Sequence, residues 1–141
     1  MNIAPDPKSI PTSTVLSPEA NQAAALATAP GVLTVDLDAI VANWRKLEKT
    51  AVPAECAGVI KADAYGCGAG PVARALAGAG CKTFFVATLD EARAARAAVP
   101  QATIYVLDGF FQNCGDIYAR IDARPVIGDL AQDSHLPAQT Y

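Results

Sequence analysis

Ala57-Gly58-Val59-Ile60-Lys61-Ala62-Asp63-Ala64-Tyr65-Gly66-Cys67-Gly68 is the stretch on which the reading of this chain turns. An apolar run ends in a lysine, and a tyrosine and two glycines follow at once. Such a short apolar run, with no polar alternation, suits a strand covered on both faces. A lysine that closes a buried strand faces a low-dielectric pocket, where loss of hydration favours the neutral, nucleophilic amine. An amine of that kind can condense with an aldehyde cofactor. Gly66 and Gly68 permit tight turns and close approach of a ligand to the backbone.

Working outward, the same rhythm repeats. Apolar runs at Ala57–Ile60, Thr83–Ala87, Thr103–Leu107 and Pro125–Ile127 are centred near positions 59, 85, 105 and 126. A helix is expected between the first two, with Pro71 in its opening turn, Val72, Leu76 and Ala79 on one face and Gly80 as its C-cap. Thr88-Leu89-Asp90-Glu91 has the pattern of a capping box and opens an alanine-rich helix, with Arg93 and Arg96 on its wetter face. Upstream, Leu33–Leu37 alternates as a strand. Asp38 is placed to cap a helix carrying Leu37, Ile40, Val41, Trp44 and Leu47, closed by Pro53. Strand–helix alternation of this kind gives an α/β fold with parallel strands. Four βα units fit between Cys56 and Gly128, whereas a complete eight-stranded barrel takes about 250 residues. The expected fold is therefore a partial (β/α)8 TIM-type barrel, about its first four βα units.

The domain reading follows. Residues 1–30, with Pro5, Pro7, Pro11, Pro18 and Pro30 among small polar residues, read as a flexible amino-terminal extension. Residues 31–130 hold the barrel units, and 131–141 form a tail without apolar period.

Composition excludes several classes. The 141 residues carry a net charge of −3, which leaves no electrostatic footprint for nucleic acid. No apolar run approaches a membrane span, and the first residues lack the apolar core of a secretory signal, so a cytoplasmic location is expected. Cys56, Cys67, Cys81 and Cys114 form no Cys-x-x-Cys pair and read as free thiols. His135 stands alone, and no metal site is expected.

The Lys61–Gly68 block closely resembles the cofactor segment of alanine racemases, Lys-Ala-(Asn/Asp)-Ala-Tyr-Gly-x-Gly. It matches at Lys61, Ala62, Asp63, Ala64, Tyr65, Gly66 and Gly68. Leu37-Asp38-Ala39-Ile40-Val41-Ala42-Asn43 is similar to the opening of that family, Phe85–Ala92 to its second unit, Ile104–Gly109 to its third strand and Pro125–Ile127 to its fourth. The likeness runs from about Leu33 to Leu130. It implies pyridoxal 5'-phosphate bound as a Schiff base to Lys61, which is also the catalytic base on one face of the substrate. It implies further that Tyr65 donates to the cofactor phosphate and that Leu107 lines the cofactor pocket. Read from the residues alone, Tyr65 is more often a half-buried packing tyrosine, and Leu107 is ordinary core as readily as pocket wall. Asp63 reads as a turn residue or cap.

The implied reaction interconverts L-alanine and D-alanine for peptidoglycan synthesis, in a homodimer in the full-length family. Whole racemases are more than twice as long, and their second catalytic base lies in the part without counterpart here. The expectation is a truncated, inactive fragment. Two other readings stay open: a decarboxylase of the same pyridoxal-phosphate barrel class, and a non-enzymatic barrel that binds the cofactor.

Overall fold

A computed structural model describes residues 23–25 and 27–133. The chain divides into two compact units, Met1–Thr34 and Val35–Tyr141. In the first, residues 23–25 and 27–28 are helical and exposed. Most of the expected extension, and the tail from residue 134 with His135, lie outside the described residues.

The second unit opens with α1 (Leu37–Ala51), capped by Asp36, whose carboxylate accepts a hydrogen bond from Ala39 N at 2.9 Å. Two expectations are corrected here. Residues 31–36 carry no regular structure, so there is no strand over Leu33–Leu37. The alternation was misleading because an alternating run becomes a strand only when another strand pairs with it. The cap is Asp36 instead of Asp38, which sits in the first turn, where its charge favours the helix amino end. On α1, Trp44 is buried and its indole N–H donates to Cys56 O at 3.1 Å. Leu37, Ile40 and Val41 are half-buried, but Leu47 is 63% exposed, so the apolar stripe ends at Trp44.

Four βα repeats follow. Strands β1 (Gly58–Val59), β2 (Thr83–Val86), β3 (Thr103–Val106) and β4 (Ala123–Pro125) form one sheet in the order β1-β2-β3-β4, every pair parallel. The first three match the expected runs. The fourth begins two residues early, at Ala123, although Val126 N still donates to Val106 O at 2.8 Å. The returning helices are α2 (Ala69–Ala79), α3 (Leu89–Ala98) and α4 (Gly115–Ile121), and a short α5 (Leu130–Asp133) follows β4. Neighbouring helices touch in sequence, α1 on α2, α2 on α3 and α3 on α4. A sheet ordered without reversal, with consecutive helices side by side, is a section of barrel wall; a doubly wound sheet would reverse its order.

The core lies between that helical layer and one face of the sheet. Phe84, Val86, Ile104 and Val106 alternate into it with at most 1% exposed, against Val72, Leu76, Ala92, Ala95 and Tyr118. Gly80 ends α2 at φ 114°, where its N–H reaches Ala77 O and Leu76 O. Thr88 and Glu91 form the expected capping box. Arg93 lies on the wet face, paired with Asp90 at 2.7 Å. Arg96 does not. Its guanidinium donates to Ile121 O (2.9 Å), Pro100 O (2.9 Å), Ala102 O (2.7 Å) and Asp122 O (2.6 Å). The small side chains of α3 let α4 come close enough for Arg96 to reach across. All four cysteines are free, and burial pushes the Cys81 thiol above its usual range. No helix among the described residues is long and apolar enough to cross a membrane.

This packing can be tested at two positions. A Cβ at Gly58 would meet the Phe84 ring at 3.0 Å and Leu76 Cδ1 at 3.2 Å. Gly58→Ala is expected to lower stability by about 1–3 kcal/mol, read as a lower urea midpoint by circular dichroism. The second position is Tyr118, whose buried hydroxyl donates to Gly109 O at 2.6 Å. Burial, with smaller contributions from Cys114 and Asp108, raises its pKa from 10.0 to about 12. The unfolded chain thus gives up this proton first, and stability is expected to fall as pH rises from 10.0 through about 12. Tyr118→Phe should flatten that part of the pH profile and cost roughly 1 kcal/mol at neutral pH, since Gly109 O loses its donor.

Candidate functional site

The carboxyl ends of the parallel strands gather the residues singled out by sequence. Ile60 N donates to Phe85 O at 2.9 Å, so pairing continues past β1 to the residue before Lys61. Gly58 and Ile60 are buried on the helical side and Val59 is exposed on the other, and Ile60 (φ −122°, ψ 19°) leaves the extended backbone just before Lys61. Lys61 is half-buried, and among the described residues its amine has no hydrogen-bond or ion-pair partner. Leu107 follows β3 directly, with its N–H on Val86 O at 2.9 Å and its side chain 39% exposed. Lys61 and Leu107 therefore share one rim of the sheet. Tyr65 is 65% exposed, and its hydroxyl too is without a partner among the described residues.

What joins Lys61 to Tyr65 is a left-handed turn. Ala62, Asp63, Ala64 and Tyr65 have φ of 51°, 53°, 52° and 56°, and Gly66 continues at 84°. Left-handed backbone costs about 1–2 kcal/mol per L-residue, and non-glycine residues rarely adopt it in succession. Gly66 and Gly68 (φ 89°) are the glycines that sequence assigned to the turn, but most of the turn is built from residues with a Cβ. Hydrogen bonds hold it: Ala64 N to Ile60 O (2.9 Å), Gly66 N to Ala62 O (3.0 Å) and Gly68 N to Asp63 O (2.9 Å). The Asp63 carboxylate accepts from Ala69 N at 2.6 Å and so serves the start of α2, whose N-cap Gly68 has no side chain to offer. Asp63 is thus a cap. Cys67, in the family's variable position, is half-buried against the core.

Two parts of the site carry no obvious sequence signal. One is Glu91, whose Oε1 accepts from Ala62 N at 2.7 Å, while Oε2 accepts from Ala87 N at 2.7 Å and Thr88 N at 3.4 Å. Its capping role was legible, but its reach to the Lys61 turn was not. The other is a row across the open face of the sheet: Val59, Phe85, Tyr105 and Arg124 stand in register. Phe85 and Tyr105 stack at 5.0 Å, and Arg124 lies 5.7 Å from the Tyr105 ring centre with Nη1 donating to its hydroxyl at 3.3 Å. A cavity of about 590 Å³ lies elsewhere, at the amino ends of β2 and β3, lined by Arg74, Lys82 and Gln101 among others. It does not include Lys61, and in parallel barrels the chemistry is at the carboxyl ends.

Comparison with known proteins bears on this rim. The family described as alanine racemase, N-terminal domain, matches residues 35–140, a span that runs past Leu130. The alanine racemase of Methylobacterium nodulans is 55% identical over 100 residues, covering 71% of this chain and 27% of that protein. That of Acidiphilium cryptum is 52% identical over 104 residues, covering 70% and 28%. The chain thus spans about a quarter of the length of the curated relatives it matches. Among solved structures, alanine racemase from Bartonella henselae with covalently bound pyridoxal phosphate aligns with a TM-score of 0.68 at 40% identity, covering 71% of this chain and 28% of that one. Alanine racemase from E. faecalis aligns at 0.66 with 28% identity, covering 71% of this chain and 27% of that one.

The turn itself is testable. Ala64 combines a φ of 52° with near-complete burial. Ala64→Val adds a β-branch at left-handed backbone and volume in a filled site, and is expected to cost roughly 2–4 kcal/mol. Thermal unfolding followed by circular dichroism reads this; a loss below that of Gly58→Ala would mean that the turn is not held in this conformation.

Proposed function

The chain belongs to the alanine racemase N-terminal domain family, and from that premise we propose that Lys61 is its covalent anchor for pyridoxal 5'-phosphate, in an enzyme that interconverts L-alanine and D-alanine. One observation carries the reading: an amine without an ion-pair partner among the described residues, at the carboxyl mouth of the first strand of a parallel barrel section. The residues present fit the group in kind. The Lys61 amine suits its aldehyde, the Tyr65 hydroxyl can donate to a phosphate oxygen, and Leu107 offers apolar surface to its ring. Once bound, the cofactor draws electrons from an amino acid attached to it and makes the Cα–H bond acidic.

The protein's part is to place and move protons. Lys61 Nζ, freed when substrate takes its place, accepts the Cα proton on one face and can return it. The Phe85–Tyr105 stack offers apolar surface on the same strands, two residues before Leu107 in the case of Tyr105. Inversion also needs an acid/base on the opposite face, which we assign to a part of the enzyme outside the four βα units, contributed by the second subunit of a homodimer. The product suits cell-wall synthesis in the cytoplasm. The named relatives favour a racemase over the decarboxylase and the cofactor-carrying barrel.

The assignment predicts selective labelling. With pyridoxal phosphate followed by borohydride, the reduced adduct should fall on the peptide containing Lys61, ahead of Lys46, Lys49 and Lys82. Lys61→Ala should abolish it. An adduct spread evenly over the lysines, or undiminished in Lys61→Ala, would refute the assignment.

A further inference from the structure

We propose that Glu91 is a positioning residue for Lys61: its carboxylate fixes the peptide that follows the lysine and so aims the amine. This rests on the assignment of Lys61 as cofactor anchor and adds to it the group that holds the lysine in place.

The geometry sets Glu91 apart from an ordinary capping-box glutamate. Its bond to the N-cap backbone, Thr88 N, is the longest of three at 3.4 Å. The two short ones, both 2.7 Å, go beyond the helix to Ala87 N at the end of β2 and to Ala62 N, 29 residues away in sequence. Each carboxylate oxygen therefore serves a different strand end. Both short bonds are charge-assisted, the stronger class of hydrogen bond. Among the described residues no Lys or Arg pairs with Glu91, so backbone N–H groups alone meet its charge.

The position of Ala62 N gives the contact its consequence. That N–H and the Lys61 carbonyl belong to one planar peptide unit, so fixing the N–H fixes ψ of Lys61. Ala62 is also where the chain switches to φ 51°, the first of four left-handed residues. Ile60, immediately before, is locked to β2 through Phe85 O. Lys61 is thus clamped on both sides to the second βα unit, by a strand bond before it and by Glu91 after it. A lysine has four rotatable side-chain bonds, and a fixed backbone is the part of its aim that the fold can set.

The test uses the full chain and two kinds of reading. In amide NMR spectra, the Ala62 and Ala87 resonances should both shift in Glu91→Gln, although Ala62 lies 29 residues away in sequence. In the pyridoxal phosphate–borohydride experiment, Glu91→Gln should slow adduct formation on Lys61 about tenfold, the factor expected for one charge-assisted bond, with labelling of the other lysines unchanged. Thr88→Val removes the hydroxyl half of the capping box but not the bond to Ala62. It should destabilise α3 yet leave the Lys61 rate within about twofold.

Should Glu91→Gln fail to fold, Glu91→Asp keeps the charge but is a methylene too short to bridge both amides, and the same slowing is expected. An Ala62 amide that does not move in Glu91→Gln overturns the proposal, as does wild-type labelling in Glu91→Gln or Glu91→Asp, or equal slowing in Thr88→Val. Normal Lys61 labelling in all variants removes the role of Glu91 alone. A shifted Ala62 amide in Glu91→Gln with no adduct on wild-type Lys61 removes the cofactor assignment, and the positioning role with it.

Discussion

Parallel strands cannot be joined by tight turns; each must be returned to the start of the next by a crossover, here a helix. Because each of these crossovers lies on one side of the sheet, one sheet face becomes core and all four strands finish at the same rim. That constraint brings Lys61, Ala87 and Leu107 into neighbourhood although they lie far apart in sequence. It also explains why so few polar groups suffice to define the rim. The strand ladder sets the heights, and local bonds need only orient what stands on top.

The left-handed turn shows the two kinds of control working against each other. Four successive residues in an unfavourable backbone region persist only where surrounding bonds over-determine them. Here the determinants come from three directions: Ile60 from the strand, Ala69 N of the following helix on the Asp63 carboxylate, and Glu91 from the neighbouring unit. Strain placed next to Lys61, the proposed cofactor anchor, is consistent with a site whose geometry matters more than its ease of formation.

Much of this was legible in the residues. The three longer apolar runs marked β1 to β3 because apolar residues stand on both strand faces, although in the described residues only the helical face is buried, and Gly80 and Thr88 marked helix ends by local stereochemistry. The register slip at β4 arose because Ala123 and Arg124 lack the apolar signature of a central strand. The absent strand around Val35 and the shifted cap at Asp36 have a common cause, since alternation and capping residues tell what a segment can do and not which partner it finds. The handedness of Ala62 to Tyr65 could not be read at all. Alanine carries no propensity for such backbone, and the conformation comes from contacts made elsewhere. The same holds for Arg96 and for the long reach of Glu91, where helix position was foreseeable but the facing carbonyl or amide was not.

Arg96 has one further consequence. Its five N–H groups are largely taken up by carbonyls from the end of α3 and from the α4–β4 junction, with the Asp122 carboxylate at 3.4 Å. The corner that leads into the shortest of the three later strands, three residues ending in proline, is thus tied back to α3 by a single planar cation. Lysine, with three donors on a rotating head, has no equivalent fork. The fourth repeat is accordingly held in two ways: its strand by the ladder to β3, and the corner that leads into that strand by one side chain of the repeat before it.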